Sequence, residues 1–487
     1  MKLNLISSLI IISFVFDNLN YLTAQQNHND YCGTSIHTQL RNIELQQNTQ
    51  NSPKDFKQIQ YLPMQIHIVL TDEGGTDYPI QKLRESICTL NKDYEPTGFQ
   101  FFMDKPINYI RSSKYNEHNY DDGGEMMRIY NVKNVINVYL VTSPAGNCGY
   151  YTYNDDAVAL SKSCTSKFSH TWAHEFGHYF SLPHTFLGWE GISYTGGKSA
   201  LDFEKDVKGQ IENIERINCN RQADNFCDTP ADYISFRWPC TESDSSVLIQ
   251  KDLKGHEFRS DASLFMSYSL DNCGSRFSNM QMEAMQNFLW NSRSNLLRNV
   301  GPRLIAAFDN NSAYPLDSAL TKTKVSFSWK PVDQADSYLF QVARNQVFSV
   351  FVKNMVINAT NIEIDSLIPG KTYYWRVIPL NNSDFCSDGS KSFIFTTESL
   401  TNINPVIEEK NILYPNPIHK NESMFIHSTE ELDANDIHIF DQNGKNIDSQ
   451  VHFNIVTNWV EIQTSQLNSG IYFVAIKRKF NKIIILE

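Results

Sequence analysis

The stretch that decides the fold is residues 170–186, HTWAHEFGHYFSLPHTF, which holds four of the 13 histidines of a 487-residue chain. Read as a helix, it places His174 and His178 on one face about 6 Å apart, the spacing at which two imidazoles bind one small cation. Glu175 lies one step round from that face, where it would reach a metal-bound water without binding the metal. The aromatic side chains of the stretch would bury the helix in a core.

A third histidine follows a predicted break in this helix. Leu182 precedes Pro183, and the residue before a proline is pushed out of helical geometry. The chain should therefore leave the helix near Ser181 and return His184 toward the other two. Three imidazoles with one position left for water are typical of a catalytic zinc site. His170 continues the four-residue stripe, but three histidines on one straight helix cannot surround an ion, so we predict that it lies merely in the first turn.

The spacing resembles that of the metzincin zinc proteases, whose pattern is HExxHxxGxxH followed later by a Met-turn. The flanking residues are most similar to the pappalysin family within that clan. The resemblance implies that His174, His178 and His184 are the zinc ligands and that Glu175 is the general base. Ser181 stands where the family has glycine, and a left-handed turn there costs a serine about 1 to 2 kcal/mol.

The second half of the metzincin signature resembles residues 264–273, LFMSYSLDNC. The resemblance implies that Met266 forms an apolar base beneath the zinc site and that Tyr268 hydrogen-bonds the oxyanion. Relatives that favour Arg or Lys after the scissile bond carry several acids in this stretch. Asp271 and Asn272 are the candidate pocket residues here, and with a single acid a basic preference is only a hypothesis.

A calcium site is implied by residues 218–233, NCNRQADNFCDTPADY, which contain another element of the family. The resemblance makes Asp224, Asp228 and the Thr229 carbonyl candidate ligands, since hard oxygen ligands suit Ca²⁺.

The resemblance implies peptide-bond hydrolysis. A bound zinc would lower the pKa of its water toward 7, Glu175 would take the proton, and Tyr268 would hydrogen-bond the oxyanion. We therefore expect a secreted zinc endopeptidase acting on proteins or peptides. A rival function is a non-catalytic surface or adhesion protein built on the same scaffold. A gluzincin site is disfavoured because Glu190 lies too close to His178 in sequence and Glu204 lies in a polar stretch.

The composition indicates a globular protein, and the N-terminal segment indicates export. The formal net charge is −12 without a dense Lys/Arg block, which makes nucleic acid an unfavoured partner. Residues 1–24 have a Lys2 n-region, an apolar run and a small-residue cleavage site, as a secretory signal peptide does. No other run of about 18 apolar residues occurs, so we expect no transmembrane segment.

The chain is long enough for several domains. Residues 25–57 are polar and are predicted to be a pro-segment. Residues 58–302 mix strands and helices, which predicts an α+β or α/β unit. The metzincin resemblance implies an α+β catalytic domain with an α/β/α arrangement. Within it, residues 156–163 are predicted to be the edge strand that binds substrate, with an ordinary internal strand as the alternative. His67 is predicted to be a packed histidine of the first strand.

Two all-β sandwich domains are predicted to follow. Residues 303–398 contain short alternating strands separated by turn residues, and their aromatic layout resembles a fibronectin type III module. Residues 410–487 resemble the C-terminal sorting domain of the type IX secretion system, through Tyr414-Pro415-Asn416-Pro417, Asp441 to Gly444 and Ser469-Gly470-Ile471-Tyr472. The resemblance implies the type IX machinery as a partner and a secreted or cell-surface location.

Nine cysteines in an exported chain permit disulfides and leave at least one thiol unpaired. Cys32, in YCGTS, resembles the pro-segment cysteine of relatives in which a thiolate occupies the open zinc position, and a simple free thiol is the alternative. Two disulfides are expected among Cys219, Cys227, Cys240 and Cys273, and the sequence leaves all three pairings open. Cys148 and Cys164 are a further candidate pair. Cys88 and Cys386 are expected to be unpaired.

Overall fold

The computed structural model describes residues 31–47, 58–75, 78–298, 301–399, 412–427, 432–456, 459–476 and 479–486. The predicted signal peptide lies outside these residues, as do parts of the predicted pro-segment. By its internal contacts the chain forms two units, Met1–Thr397 and Glu398–Glu487. None of the helices in the described ranges has the length and apolar character that crossing a membrane requires.

A mixed sheet of six strands organises the first unit. Its strands are β1 (Gln60–Leu70), β2 (Phe99–Met103), β3 (Asn108–Arg111), β4 (Ile136–Val141), β5 (Gly149–Thr152) and β6 (Ala157–Ser161). The order is β2-β1-β4-β6-β5, with β3 also beside β1, and only β5 runs antiparallel to its neighbour. β1 pairs with strands on both sides and is buried from Leu62 to Leu70, so that the polar Gln65 and His67 are enclosed along with its apolar side chains.

The prediction that residues 156–163 form the edge strand is therefore wrong, and the alternative of an internal strand is confirmed. β6 lies inside the sheet between β4 and β5, and β5 forms the edge. A short connection folds the chain back after β5, so the antiparallel partner comes first in sequence and takes the outer position. His67 lies on β1, where it is buried, stacks on Tyr139 and contacts Asn137 and Asn108.

Helices cover both faces of this sheet. The main helices are α1 (Ile36–Gln47), α2 (Ile80–Tyr94), α3 (Tyr120–Tyr130), α4 (Thr171–Tyr179) and α5 (Asn279–Ser292), beside a one-turn helix at Ser113–Asn116. Side chains alternate between two cores, since Ile68 packs with α2 and α4 whereas Val69 packs with Met126 and Met127 of α3. α4 is buried along its whole length, which places the histidines of the sequence motif inside the protein.

A long segment between α4 and α5 is mostly irregular, with two-residue strands at Gln250–Lys251 and Glu257–Phe258. It has a core of its own that includes Trp189, Tyr233 and Trp238. Disulfides join Cys219 to Cys227 and Cys240 to Cys273, and a third joins Cys148 to Cys164. The first two of these cross-links lie within the segment and compensate for its scarcity of regular backbone hydrogen bonding.

The remainder of the first unit is a β-sandwich. Its strands are β7 (Ala319–Thr321), β8 (Val325–Ser328), β9 (Ser337–Ala343), β10 (Phe351–Ile357), β11 (Asn361–Ile364), β12 (Thr372–Leu380) and β13 (Phe393–Thr397). One sheet has the order β7-β13-β12-β9-β10 and the other pairs β8 with β11. Trp329, Tyr338, Leu367 and Trp375 are buried together between them.

This sandwich is tied to α2, and the expectation that Cys88 and Cys386 are unpaired is wrong. The two form a disulfide across 298 residues. Leu339 and Phe385 belong to the same apolar cluster as the residues of α2, and the Arg84 guanidinium donates to the Ser387 carbonyl at 2.7 Å. Sequence could not pair these cysteines because the tertiary packing alone brings them together.

The second unit has two four-stranded sheets. Its strands are β14 (Ile412–Tyr414), β15 (Ile418–His419), β16 (Ser423–His427), β17 (Ile437–Asp441), β18 (His452–Val456), β19 (Trp459–Gln463), β20 (Gly470–Ile476) and β21 (Lys479–Leu486). The orders are β14-β16-β19-β18 and β15-β21-β20-β17. Asn416 ties the start of the unit to its last strand, since its side chain donates to the Lys482 carbonyl and accepts from the Ile484 N–H.

Candidate metal centre

The break after α4 brings the third histidine back to the first two. α4 ends at Tyr179, and Ser181 has a φ of +78°, the left-handed conformation that the serine was expected to bear. The Leu182 N–H donates to the Gly177 carbonyl at 2.8 Å, which closes the turn. Beyond Pro183 the chain reverses, and His184 faces the helix.

Three imidazoles and one thiol converge at this point. One ligand atom each from Cys32, His174, His178 and His184 lies within 4.8 Å of the others, and all four residues are buried. The Nε2 atoms of His178 and His184 are 3.1 Å apart. The His174 Nε2 is buried and has no hydrogen-bond partner among the described residues.

Hydrogen bonds on the far side of each ring fix how the three imidazoles present their nitrogens. The Nδ1 of His174 lies 2.6 Å from the Phe265 carbonyl, and that of His178 lies 2.7 Å from the Leu182 carbonyl. The Nδ1 of His184 lies 3.3 Å from a carboxylate oxygen of Glu190. Since a carbonyl or carboxylate accepts, each Nδ1 carries the proton and each Nε2 lone pair points inward, as in bound metal sites.

Burial also keeps His174 and His178 neutral. It lowers the pKa of His174 and His178 well below the ordinary range, and the neighbouring imidazoles lower both values further. Neutral imidazoles are the form that binds a metal. Convergent lone pairs, an unpartnered buried Nε2 and a nearby thiol together fit a divalent cation.

Glu175 lies beside the histidines, on the side of the thiol. Its Oε2 accepts a hydrogen bond from the Thr34 hydroxyl at 3.1 Å and lies 3.5 Å from the Cys32 Sγ. Burial raises the pKa of Glu175 to about 8. A carboxyl group with such a pKa is suited to move a proton near neutral pH.

The N-terminal segment, residues 31–47, lies directly over the cluster. The Cys32 Sγ is 3.5 Å from the His178 Nε2 and is the one free thiol among the described residues. Cys32 forms a parallel bridge with Gly149 of β5, and the Gly33 N–H donates to the Gly149 carbonyl at 2.8 Å. Burial and the Glu175 carboxylate raise the pKa of the thiol. The segment thus occupies the edge of the sheet and the centre of the cluster together.

α1 then anchors the segment on the loop of the third histidine. The Gln39 side chain accepts from the His184 N–H at 2.9 Å, and the Asn42 amide donates to the His178 carbonyl at 2.9 Å. The Gln46 amide donates to the Ser181 carbonyl at 2.7 Å and contacts its hydroxyl. These bonds satisfy polar groups of a turn that the helix itself leaves open.

The predicted Met-turn lies beneath α4. Met266 is fully buried, and a Cβ added to Gly177 would lie 2.3 Å from its sulfur. An alanine at this position would therefore force Met266 or the helix to shift. The Tyr268 hydroxyl donates to the Cys32 carbonyl at 3.1 Å, and its ring centroid is 5.0 Å from that of His184.

Sequence reasoning missed the residue that holds this turn in place. Asp232 is buried and its carboxylate accepts hydrogen bonds from the hydroxyls of Ser267, Thr185 and Ser260. It thereby joins the Met-turn to the loop of His184. The signal was present, because Asp232 lies only four residues past Asp228, in the stretch singled out for calcium.

The predicted calcium ligands have local partners. One oxygen of Asp224 accepts from the Phe226 N–H and the Thr229 hydroxyl, and the other is buried without a partner among the described residues. The Asp228 carboxylate accepts from the Ser278 hydroxyl and the Met280 N–H at the start of α5. Within the described ranges, the Cys/His cluster is the one group of three or more His, Cys, Asp or Glu residues with metal-binding spacing.

Two other predicted residues lie away from the cluster. His170 is at the N-terminus of α4, and its Nδ1 lies 2.7 Å from an Asp93 carboxylate oxygen. Glu204 is exposed on the surface of the long loop. Glu190, considered earlier only as a metal ligand, instead orients His184.

Comparison with known proteins identifies the C-terminal part of the chain. Residues 412–486 match the family model "Secretion system C-terminal sorting domain". The protein is therefore a multidomain cargo of type IX secretion, and it is secreted or held at the cell surface. The search of curated proteins found no match.

Solved structures give weaker likenesses. Metalloproteinase-II from Bacteroides fragilis is 12% identical, over 29% of this chain and 51% of that chain, at a TM-score of 0.20. The fn3 domain of human collagen alpha-1(XX) is 16% identical, over 22% and 97%, at 0.17. The fibronectin type III domain of human fibronectin type III domain containing protein 3 is 21% identical, over 22% and 96%, at 0.16. The chain spans about half of the metalloproteinase, and at these TM-scores the likenesses carry no argument about function.

Proposed function

We propose that the protein is a secreted zinc endopeptidase of the metzincin type. The observation that carries the proposal is the convergence of three buried histidines, each oriented through its Nδ1, beside the carboxyl group of Glu175. His174, His178 and His184 would hold the ion, and three imidazoles with a fourth open position favour zinc. Bound zinc would activate a water and polarise the scissile carbonyl.

Residues of the chain would do the rest of the chemistry. Glu175 would accept the proton of the attacking water and return it to the leaving amine, a role that its raised pKa supports. The Tyr268 hydroxyl, which now donates to the Cys32 carbonyl, would donate instead to the developing oxyanion. Met266 and Asp232 would hold these groups in position.

We also propose that the enzyme is made latent. Cys32 would be the fourth ligand of the ion, and residues 25–57 would be a pro-segment that must leave before substrate enters. The contacts of Gly33 with β5 and of α1 with the histidine loop support this arrangement. Once the segment leaves, the β5 edge would be available for an extended substrate to add as a further strand.

The full proposal includes the predicted processing and domain limits. Residues 1–24 would be a signal peptide, 58–302 the protease domain, 303–398 a fibronectin type III-like module and 410–487 the sorting domain. Calcium bound near Asp224, Asp228 and Thr229 stays a prediction, to be tested by calcium content after gel filtration and by the effect of added Ca²⁺ on the thermal transition.

The decisive experiment combines metal content with casein hydrolysis in the full chain after release of its N-terminal segment. We expect one zinc per chain and measurable hydrolysis. Glu175→Gln should keep the zinc and lose at least 100-fold in rate, as expected for removal of a general base, roughly 10² to 10⁴. Glu204→Gln, an exposed control of the same chemistry, should change neither. Zinc without hydrolysis would favour the non-catalytic scaffold, and absence of zinc would overturn the proposal.

A further inference from the structure

A second side chain of the N-terminal segment fills a pocket beside the metal cluster. Tyr31, the residue before Cys32, is only 6% exposed. Its ring centroid lies 5.2 Å from that of His174 and 5.3 Å from that of Tyr268, with both rings in edge contact. The whole ring is thus enclosed one residue away from the thiol that reaches the histidines.

The walls of this pocket come from the Met-turn region and the start of α4. A small cavity adjoins the Tyr31 ring here, lined by Tyr31 itself and by His170, Phe265, Ser267, Ser269, Leu270 and Asp271. Asp271 is one of the two candidate residues of the pocket that would bind the side chain after the scissile bond.

Arg237 covers the face of the Tyr31 ring. Its guanidinium carbon lies 4.0 Å from the ring centroid, a cation–π geometry. The guanidinium donates to the Ser269 carbonyl and, at 3.2 Å, to an Asp271 carboxylate oxygen. The single acid of the pocket is therefore neutralised by an arginine of the same chain, and a cation entering the pocket would meet Arg237 rather than a free carboxylate.

We propose that this pocket selects an aromatic side chain, tyrosine or phenylalanine, immediately after the scissile bond, and that Arg237 determines this preference by stacking on the ring and repelling lysine and arginine. The inference rests on the proposed function and names the substrate class of that site. It replaces the basic preference considered from the sequence, because the sequence could not show that Asp271 has a partner.

The first test is the cleavage of a mixed peptide library by the activated full chain, read by mass spectrometry. Wild type should enrich Tyr and Phe about tenfold over Leu after the scissile bond, the order of a cation–π contact, and should deplete Arg and Lys. Arg237→Gln should reverse this preference, with Arg and Lys enriched over Tyr and Phe, because Asp271 is left unpaired and attracts cations. Asp271→Asn, the matched control, should keep the aromatic preference.

A loss of packing alone would lower cleavage of all peptides without exchanging the order. Enrichment of Arg or Lys by wild type, or an unchanged order in Arg237→Gln, would overturn the inference. Casein hydrolysis measured on the same samples reports the proposed function separately from the preference.

A second test needs no turnover and uses the full, zinc-loaded chain with its segment in place. The rate at which an alkylating reagent labels Cys32 reports how well residue 31 seats the segment. Tyr31→Phe should label as slowly as wild type, and Tyr31→Arg at least tenfold faster. In the Arg237→Gln background Tyr31→Arg should be protected again, because Asp271 can then pair with it. The same labelling rate for both Tyr31 variants would overturn the inference even if the protein hydrolyses nothing.

Discussion

Replacing Gly177 by alanine probes the packing of the Met-turn beneath the metal cluster. The added Cβ would lie 2.3 Å from the Met266 Sδ and 3.2 Å from its Cε, with the Phe277 ring at 3.5 Å on another side. Met266 is fully buried, so its side chain has no open space into which to move. The helix and the Met-turn must therefore separate.

The net magnitude follows from two opposing contributions. Alanine in a helix interior is more favourable than glycine by about 1 kcal/mol, whereas overpacking of a closed core costs typically about 1 to 3 kcal/mol. At a 2.3 Å contact we expect the upper part of that range, about 2 to 3 kcal/mol. The unit should then lose about 1 to 2 kcal/mol, or roughly 2 to 8 °C in Tm.

The assay is thermal unfolding of the full chain, followed at its first transition and together with zinc retention. Gly124→Ala in α3 is the matched control, since the added Cβ would meet only the charged ends of Asp155 and Arg128; Tm should stay or rise. Met266→Ala alone should cost about 2 to 5 kcal/mol, and the double variant with Gly177→Ala should lose less than the sum. Equal Tm values for Gly177→Ala and Gly124→Ala, or additive losses, would refute the packing argument.

Three further perturbations have defined outcomes. Cys32→Ala should let the full chain hydrolyse casein without proteolytic cleavage of residues 25–57, because the segment loses its thiol contact with the cluster and can leave the cleft uncut. Breaking the Cys88–Cys386 cross-link with a double alanine variant should lower the free energy of unfolding by about 2 to 4 kcal/mol, measured by denaturant titration. Glu212 is buried and its pKa is raised to about 7 by burial, so the folded protein binds the extra proton between about pH 4.5 and 7 and loses stability as pH rises through that window. Glu212→Gln should therefore raise the free energy of unfolding at pH 8 by at most about 3 kcal/mol, which is measured as a higher Tm. The same variant should have little effect near pH 4.5.

The first two predictions have control variants, and the third has a result that would contradict it. Cys32→Ala combined with Glu175→Gln must be inactive, otherwise a contaminating protease is at work. A double alanine variant of Cys219 and Cys227, whose disulfide closes only eight residues, should cost less than the long cross-link. A lower Tm for Glu212→Gln at pH 8 would contradict the burial argument and point to a cation that compensates the carboxylate.

Much of the candidate site could be predicted from the sequence. The four-residue spacing of His174 and His178 follows from helix geometry, and Pro183 requires the chain to turn before His184. These are local rules, and the structure brings the three side chains together. The odd cysteine count likewise predicted a free thiol, and Cys32 is that thiol.

What failed depended on contacts between distant parts of the chain. The edge position of β5 follows from strand order, which no single strand pattern contains. The pairing of Cys88 with Cys386 requires the sandwich to pack on α2, and Asp271 reads as a free acid until Arg237 folds back beside it.

The sequence by itself determined which histidines and which cysteine form the candidate metal site, the glutamate beside them and the sorting tail, because each depends on short spacings along the backbone. Only the tertiary structure decided which carboxylates are neutralised, which strand lies at the edge of the sheet and which cysteines meet. Charge pairing and packing act through space, and residues such as Tyr31 and Arg237 become neighbours only after the chain has folded.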